Sequence, residues 1–578
     1  MTRIDPAPSA VSPPTASATD LIAELGAIVG NRYVLTSERE TRRYRTGFRF
    51  GGGKALAVVR PGSLVELWRA VNACARARTI MIVQAANTGL TGGSTPDGDR
   101  YDRDVVIIST TRIDGIQLVR DGKQVICLPG SRLFELEDIV AGIGREPHSR
   151  IGSSCIGASV LGGICNNSGG ALIHRGPAYT QMALYARIDA DGSVRLVNHL
   201  GVSLGVEPEA MLARLDAGEI AESDIIDDAT RVCSDRHYQD HVREVDADTP
   251  ARFNNDPRHH FEASGSGGHV VVFAVRLDTF PKEEAIADFY IGTNDPAELT
   301  AIRRVILKSF TSLPIQGEYI HRSAFRLTAS YGKDTFLAIR YLGAKYLPGL
   351  FALKARFDAF CARLPWAPHD LSDRIMQTVA TLFPQHLPER MRDFDNRFEH
   401  HLILKMGGRG IEEARTLLAQ AFPTRQGDYF ECTKDEGDRA FLHRFAVAGA
   451  SIRYRALHRD TITDIVALDV ALRRNDDEWD EHLPAELAKQ IVGVSYCGHF
   501  FCHVFHRDYL VKQGHDPVAF EQAMLALLDA RGAEYPAEHN VGHLYPAKAA
   551  LARHYRELDP TNSLNPGTGH LSRNADWA

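Results

Sequence analysis

Apolar residues in the first half of the chain follow helical spacing in some stretches and strand-like spacing in others, which predicts an α+β order. Helical spacing covers Leu21–Val29 and Leu64–Ala77. Short apolar runs typical of buried strands occur at Ile80–Gln84, Val105–Ser109, Val125–Leu128 and Val270–Leu277. The polar segment Glu207–Asp256, dense in Asp and His, predicts a surface insertion.

The second half of the chain returns to the same two patterns. Phe289–Arg303 predicts a strand, an Asn-Asp-Pro turn and a helix. Further helices are predicted at Ile411–Ala421 and Pro517–Arg531. The predicted strands are Glu399–Met406, Ile462–Leu472 and Tyr496–Val511. Because 578 residues are too many for one hydrophobic core, these elements predict two to four domains.

Two loops are unusually rich in small residues. MIVQAANTGLTGGS (Met81–Ser94) places three glycines after an apolar run, and IGSSCIGASVLGGICNNSGG (Ile151–Gly170) almost excludes bulky polar residues. Glycine permits φ > 0 and close approach of a ligand, so such loops can turn successive N–H groups onto a phosphate. Neither loop contains G-x-G-x-x-G or G-x-x-x-x-G-K-[ST]. The alternatives are a dinucleotide site of another type and two ordinary turn-rich loops.

Other stretches carry a resemblance that extends well beyond these loops. They are RPGSLVELWRAVNACARA (Arg60–Ala77), YDRDVVIIST (Tyr101–Thr110), GREPHSRIGSS (Gly144–Ser154) and NNSGGALIHRGPAYT (Asn166–Thr180). Together with the loops they resemble the FAD-linked oxidases of the vanillyl-alcohol-oxidase or PCMH type. Within that group the chain is most similar to the respiratory quinone-dependent D-lactate dehydrogenases of bacteria, from about Leu21 onwards.

The resemblance implies tight, non-covalent FAD. The expected pyrophosphate site consists of Ala85, Ala86, Asn87, Thr88, Gly89, Gly93 and Ser94. The other expected contacts are Gly152, Ser159, Gly169 and the main chain near Val272.

The resemblance also implies the domain organisation. The expected fold class is α+β, with a PCMH-type FAD-binding domain of two α/β subdomains, an antiparallel-sheet cap domain and a basic helical membrane-binding segment. The expected boundaries are the FAD domain at 20–278 completed by 530–578, the cap at 279–320 and 398–529, and the basic segment at 321–397. Residues 1–19 are rich in Pro, Ala, Ser and Thr, and this composition predicts a disordered tail.

Composition narrows the choice of binding partners and of cellular compartment. The 66 basic and 73 acidic side chains nearly balance, which gives no global attraction to nucleic acid. Nine cysteines without a CxxC pair favour reduced thiols in a cytoplasmic protein. The first 19 residues lack the apolar core of a signal peptide, and no run of about 18 apolar residues predicts a transmembrane helix.

The basic segment contains the best candidate for membrane contact. Lys333–Arg363 holds six cations, two acids and many large apolar residues. Such a segment can lie in a membrane interface, with Lys and Arg reaching anionic phospholipid head groups. An ordinary amphipathic helical pair is the alternative. With the family resemblance, the expected location is peripheral, on the cytoplasmic face of the bacterial inner membrane.

Histidines are concentrated in GHFFCHVFH (Gly498–His506) and AEHNVGH (Ala537–His543). Related 2-hydroxyacid dehydrogenases carry G-H-V-G-D-G-N-L-H and, some thirty residues later, S-G-E-H-G. This chain keeps the two histidines and the Glu-His pair but lacks the central Gly-Asp-Gly-Asn. His499, His506 and Glu538 form a plausible set for a divalent cation, and plain hydrogen bonding is the alternative.

Two further residues are expected to act on the substrate. His539 is the candidate general base, because imidazole titrates near working pH. Arg444, at a place resembling the carboxylate-binding arginine of the related enzymes, would bind the substrate carboxylate. Arg322 and Arg453 are weaker candidates, and the relatives' active-site lysine aligns with Ala467.

Together with these residues, the resemblance implies a flavin dehydrogenase that oxidises D-lactate to pyruvate and passes electrons to a membrane quinone. A related dehydrogenase of D-2-hydroxyglutarate or glycolate is the alternative within the same class. A soluble flavin oxidase, or a flavin-binding module without an electron acceptor, is the alternative outside it.

Overall fold

The computed structural model describes residues 17–343, 346–361, 364 and 370–578. Residues 1–16 of the expected tail therefore lie outside the described part. The first helix begins at Ala18, because the Ser17 hydroxyl accepts a hydrogen bond from the Asp20 N–H at 3.2 Å and caps the helix.

The helices run through the whole described chain. They are α1 Ala18–Val29, α2 Glu38–Arg45, α3 Leu64–Arg76, α4 Leu133–Ala141, α5 Val160–Cys165, α6 Pro208–Asp216, α7 Tyr238–Arg243, α8 Pro296–Ser309, α9 Arg322–Tyr331, α10 Lys333–Leu342, α11 Leu347–Cys361, α12 Leu371–Leu382, α13 Glu389–Arg397, α14 Gly410–Ala421, α15 Lys434–Leu457, α16 Ala485–Ala488, α17 Pro517–Ala530 and α18 Ala549–Leu558.

The strands form three main sheets and two short pairs. They are β1 Val34–Leu35, β2 Gly52–Gly53, β3 Ala57–Val59, β4 Ile80–Gln84, β5 Asp97–Gly98, β6 Val105–Ser109, β7 Ile116–Val119, β8 Gln124–Cys127, β9 Arg145–Glu146, β10 Ala183–Ile188, β11 Val194–Asn198, β12 Val271–Asp278, β13 Phe280–Pro281, β14 Ile286–Thr293, β15 Gln316–His321, β16 His400–Gly407, β17 Gly427–Glu431, β18 Ile462–Ala471, β19 Ile491–His499 and β20 Val504–Lys512.

The first sheet has the order β1-β3-β6-β4, and β3, β6 and β4 run parallel. Every residue of β6 is buried, because its two faces pack into separate apolar clusters. This double burial explains the continuous apolar run in the sequence. The strands predicted at Ile80–Gln84 and Val105–Ser109 are confirmed, and β4 leads directly into the first small-residue loop.

The second sheet is antiparallel and has the order β11-β10-β12-β8-β7. The strands predicted at Val125–Leu128 and Val270–Leu277 appear as β8 and β12, each shifted by one residue. Because β8 pairs only with residues 275–278, no described strand pairs with that side of β12 around Val272.

The segment Glu207–Asp256 corrects one expectation. It is not a simple surface insertion, because Tyr238, Val242 and Ala251 are buried in the core of the third sheet. These apolar residues are too widely spaced in a polar stretch to give a clear sequence signal.

The third sheet has the order β17-β14-β16-β15-β19-β20-β18 and is antiparallel throughout. The single strand predicted at Tyr496–Val511 is wrong, because this stretch forms a hairpin whose turn is a single 3-10 turn at Phe500–Cys502. Its reversal uses His503 in the left-handed conformation, with φ 53°. The turn contains no Gly or Pro and is fully buried, so the apolar pattern runs through it unbroken.

The C-terminal part of the described chain returns to the first sheet. The Met81 N–H donates to the Ser563 carbonyl at 2.8 Å, and the Asn565 N–H donates to the Met81 carbonyl at 2.9 Å. Leu564 therefore continues the sheet beside β4 as a parallel bridge. The first small-residue loop thus depends on residues almost five hundred positions later in the chain.

Candidate active site

The first small-residue loop offers a row of free backbone donors. No hydrogen-bond acceptor in the described chain receives the N–H of any residue from Asn87 to Ser94. The loop is nevertheless fastened by side chains, since the Asn87 amide donates to the Thr46 carbonyl at 2.9 Å and the Ser94 hydroxyl donates to the Asn87 side chain at 2.9 Å. A fixed loop with unpaired N–H groups fits the pyrophosphate of a dinucleotide.

The second small-residue stretch supplies the other side of this cradle. Ser159 caps α5 by accepting a hydrogen bond from the Gly162 N–H at 3.0 Å. A Cβ placed on Gly152 would meet no atom within 4 Å, so the space beside this residue is open. The Gly169 N–H donates to the Glu538 carbonyl at 3.2 Å and joins this stretch to the predicted metal set. Val272 lies in β12 with one side of its main chain unpaired by any described strand.

The register of the third sheet brings the polar residues together. Glu318 of β15 lies opposite His499 of β19, and His506 of β20 lies opposite Asp469 of β18. Since β19 and β20 are neighbours, the four side chains stand on four adjacent strands. Two pairs that are far apart in sequence thereby become one cluster.

Glu318 and His499 begin a continuous chain of polar contacts. Arg444, on α15, places its Nε 3.0 Å from Glu318 Oε2. The other Glu318 oxygen lies 2.9 Å from His499 Nδ1. His499 Nε2 lies 3.2 Å from Glu538 Oε2, so His499 sits between two carboxylates.

The chain continues through Glu538 to the predicted base. Glu538 Oε2 lies 3.7 Å from His506 Nε2, and its Oε1 accepts a hydrogen bond from Arg252 at 2.7 Å. His506 Nδ1 lies 3.2 Å from Asp469 Oδ1, and His539 Nδ1 lies 2.8 Å from Asp469 Oδ2. The predicted residues His499, His506, Glu538, His539 and Arg444 therefore occupy one connected cluster.

The three predicted metal ligands fit a cation. Their ligand atoms all lie within 4.8 Å of one another. Two imidazoles and a carboxylate form a usual set of zinc ligands, which leaves positions open for substrate or water. Arg252 and Asp469 orient this set from outside, as hydrogen-bond partners of metal ligands commonly do.

The carboxylates and imidazoles shift each other's pKa values. Burial disfavours a charged His499, but Glu318 and Glu538 outweigh burial and raise the His499 pKa to about 10. Burial also opposes the Glu538 charge, yet His499 and Arg252 lower the Glu538 pKa to about 2. Burial lowers and Asp469 raises the pKa of His539, and the result lies above its ordinary value. Without a metal, protonated His499 would supply the positive charge between the ionised carboxylates of Glu318 and Glu538.

Three members of the cluster were missed in the sequence. Glu318 is the single acid of β15, Asp469 lies in the buried second half of β18, and Arg252 is a fully buried cation in a polar segment. A buried charge needs a partner, so the two acids, each flanked by apolar residues, were a usable signal. Arg252 gave no comparable signal, because its surroundings in the sequence are polar.

The weaker arginine candidates lie outside the cluster. Arg453 pairs with Asp334 at 2.8 Å and with Asp373 at 2.7 Å, and Arg322 donates to the Phe398 carbonyl. This chain has Ala467 where the relatives are expected to carry a lysine. The Ala467 side chain offers no polar group, and its carbonyl accepts a hydrogen bond from the Tyr545 hydroxyl at 3.5 Å.

Comparison with known proteins identifies the class and then the family. Residues 55–198 match the family described as FAD binding domain, and residues 288–577 match the family described as D-lactate dehydrogenase, membrane binding. The cradle and the first match define a FAD-binding protein. The second match and the relatives described next narrow the class, and the chain belongs to the quinone-dependent D-lactate dehydrogenase family.

Curated relatives cover nearly the whole chain. A quinone-dependent D-lactate dehydrogenase of Haemophilus influenzae is 56% identical over 97% of this chain and 100% of its own. That of Escherichia coli is 55% identical over 96% and 97%, and that of Corynebacterium glutamicum is 46% identical over 98% and 99%. The predicted family is confirmed.

Solved structures support the fold. p-Cresol methylhydroxylase with substrate bound superposes with a TM-score of 0.56 at 13% identity, covering 96% of both chains. Alkyldihydroxyacetonephosphate synthase superposes with a TM-score of 0.59 at 12% identity, covering 96% of this chain and 86% of its own. The expected PCMH-type fold with an antiparallel sheet is confirmed.

Proposed function

We propose that this protein is a peripheral-membrane flavoenzyme that oxidises D-lactate to pyruvate and passes the electrons to a membrane quinone. The observation that carries the proposal is the connected cluster from Arg444 to His539, which joins a carboxylate-binding cation to a proton acceptor. The names of the relatives at 46% to 56% identity support the same substrate and acceptor.

FAD would be held by the free N–H groups of Asn87 to Ser94 and by the small residues Gly152, Ser159 and Gly169. When bound, FAD would accept the hydride of the substrate, which carries both electrons of the oxidation. At Gly89 a side chain would enter open space that the ligand would fill, whereas protein atoms already exclude a side chain at Gly92 and Gly93.

Arg444 would bind the substrate carboxylate. Glu318 Oε2 lies 3.0 Å from Arg444 Nε as an ion pair, although this Nε makes no hydrogen bond among the described residues. Two terminal N–H groups in a fixed plane suit a carboxylate. Glu318 therefore orients Arg444 and leaves its binding edge free.

His539 would take the hydroxyl proton. Asp469 lies 2.8 Å from His539 Nδ1, so a neutral His539 that donates from Nδ1 keeps Nε2 free as the acceptor. Because Asp469 also raises the pKa of His539, the imidazolium formed after proton transfer is stabilised.

His499, His506 and Glu538 would bind a divalent cation. A cation there would bind the substrate oxygens and lower the pKa of the hydroxyl. Metal analysis of the purified protein tests whether a cation is bound. A chelator should lower activity if the cation is needed, and should leave activity unchanged if these three residues only form hydrogen bonds.

Helices α10 to α12 would dock on the cytoplasmic face of an anionic phospholipid membrane. Their exposed apolar side chains include Tyr341, Leu342, Leu353, Phe360 and Leu382. No described helix is long and apolar enough to cross a bilayer. An exposed apolar surface of this kind, together with the matched membrane-binding family, supports interfacial docking.

Substitution of His539 tests the chemistry directly. Loss of a general base typically slows proton transfer by about 10²–10⁴-fold, so we expect His539→Ala to slow flavin reduction by D-lactate by that factor. The variant should retain FAD, and its reoxidation by quinone should be nearly unchanged. Rapid mixing measures the two half-reactions separately.

His515→Ala is a matched control, because His515 is exposed on a loop after β20. Normal reduction of His539→Ala by D-lactate would remove this residue from the mechanism. Reduction of the parent enzyme by other 2-hydroxy acids, but not by D-lactate, would contradict the proposed substrate.

A further inference from the structure

A second polar cleft lies outside the candidate active site and has a volume of about 280 Å³. It is formed where the segments after β9 and before β10 meet α7 and the end of β12. The lining residues used below are His148, Arg175, Asp235, Arg236, Asp278 and Phe280. None of them belongs to the polar cluster or to the expected FAD contacts.

His148 is the least satisfied side chain of this cleft. It is only 5% exposed, and neither ring nitrogen has a hydrogen-bond partner among the described residues. Burial, with a smaller effect of Arg175, lowers the His148 pKa to about 3, so the ring is neutral at working pH. A neutral imidazole offers one donor and one acceptor. Leaving both unpaired in the interior is costly, which indicates a missing partner.

Arg175 is fixed beside His148 but is not saturated. Its Nη1 donates to the Pro147 carbonyl at 2.6 Å, and its guanidinium lies 4.0 Å from the centre of the Phe280 ring. Its Nε has no hydrogen-bond partner among the described residues, although the side chain is buried. Glu146 contacts Nη2 only at 3.4 Å.

Hydrogen-bond donors, rather than net charge, favour an anion in this cleft, because Arg175 and Arg236 are balanced by Asp235 and Asp278. Arg236 is exposed at the rim, and no acid in the described chain pairs with it. The two acids of the lining are already engaged, since Asp235 lies 2.7 Å from His259 Nε2 and Asp278 accepts hydrogen bonds from Ser234 and Gln124. The donors left over therefore outnumber the free acceptors.

We propose that this cleft is a binding site for a small oxyanion of the carboxylate or phosphate type. Arg236 would bind it from the rim, and His148 and Arg175 would donate from the floor. The neutral His148 ring can also accept a hydrogen bond from a hydroxyl of the ligand. The site is independent of the reaction proposed above.

Calorimetric titration of the FAD-loaded full chain tests this site with two probes, inorganic phosphate and succinate. We expect saturable binding of at least one probe, weakened roughly tenfold or more in Arg236→Gln and in His148→Phe, because each variant removes a hydrogen bond to a charged ligand. Binding of phosphate alone identifies a phosphate ligand, and binding of succinate alone identifies a carboxylate.

Arg425→Gln is the matched control, because Arg425 is also exposed and has no ion-pair partner in the described chain. It should leave binding unchanged. Circular dichroism checks folding, and the exposed Arg236 position keeps the test valid if His148→Phe unfolds. Absence of binding by both probes, or equal binding by the parent and both variants, would overturn the proposal.

Discussion

At the scale of single residues, two glycines of the expected FAD cradle differ in what surrounds them. A Cβ on Gly169 would lie 2.6 Å from Glu538, so protein atoms exclude any side chain there. A Cβ on Gly89 would meet no atom within 4 Å. Only the ligand can therefore exclude a side chain at Gly89.

This difference predicts the behaviour of Gly89→Val. The variant should fold with unchanged secondary structure but lose FAD, because the added methyl groups enter the space of the cofactor. Absorbance of the purified protein measures flavin content. Gly449→Val, where a Cβ also meets no atom within 4 Å, should retain FAD. Full occupancy in Gly89→Val would place the pyrophosphate elsewhere.

Sequence reasoning at this scale found the residues that lie in recognisable local patterns. His499 and His506 share one hairpin, and Glu538 and His539 are adjacent, so both pairs were visible in the sequence. Their partners could not be assigned, because Glu318 comes from a strand about 180 residues earlier, where only the sheet register decides the neighbour.

At the scale of elements, α15 depends on its first turn to present Arg444. Thr433 and Glu436 form a capping box, and Arg390 donates to Glu436 at 2.8 Å. The Arg390 hydrogen bond is the largest of the effects that together lower the Glu436 pKa to about 2, from an ordinary 4.5. The ionised form of Glu436 is thus favoured in the folded state.

The sign of this shift predicts a pH-dependent stabilisation. Because the folded pKa lies below the unfolded one, the contribution is complete above about pH 4.5 and is lost as the pH falls towards 2. Glu436→Gln should therefore lower the urea midpoint at pH 7, and the difference from the parent should shrink below pH 4.5. Glu486→Gln, on the exposed face of α16, controls for the lost charge. A constant difference across this range would contradict the assignment.

In the basic segment, the fold gives partners to cations that the sequence pattern left unpaired. Its sequence predicted free cations, but Lys354 pairs with Asp373 at 2.9 Å, Arg340 pairs with Asp435, and Lys333 donates to a carbonyl. Asp373 and Asp435 both lie outside the stretch Lys333–Arg363, so the composition of that stretch could not show these two pairs. Lys345 and Arg363 lie outside the described residues.

Membrane binding by this segment should consequently depend more on apolar than on basic side chains. We expect Leu353→Ser with Leu382→Ser to reduce flotation with anionic liposomes, since each is at least 64% exposed and would lose contact with the acyl region. Lys354→Gln should have the smaller effect. Val206→Ser, at an 87% exposed position outside the segment, is the control. The reverse order of effects would support binding by charge.

At the scale of the whole molecule, the C-terminal segment ties the FAD loop to the sheet. The Asn565 amide donates to the carbonyls of Gly93 and Gly267, at 2.8 and 2.6 Å. The sequence resemblance predicted the return to the FAD domain, but it could not show that a single amide joins the first small-residue loop to Gly267, just before β12. That contact depends on main-chain positions brought together only by the complete fold.

Asn565→Asp should therefore weaken FAD binding. The change removes the donor and faces two carbonyls with a charge, and each buried group left unsatisfied costs about 1–3 kcal/mol. Fluorescence titration of the apoprotein with FAD measures the affinity. Asn562→Asp is the matched control, because Asn562 has a similar φ of 50° and donates to two carbonyls away from the FAD loop. Equal effects of both changes would indicate general destabilisation.

The pairing of Met81 with Ser563 and Asn565 also sets the order of events during synthesis. The two partners are separated by about 480 residues, which a ribosome adds in roughly 25 to 100 s. Throughout that interval, β4 has β6 on one edge but lacks Leu564 on the other, and the first small-residue loop lacks the hydrogen bond from Asn565 to the Gly93 carbonyl. Stable cofactor insertion therefore follows emergence of residue 565 from the ribosome, and a cell that makes this protein must maintain a transient population of cofactor-free chains.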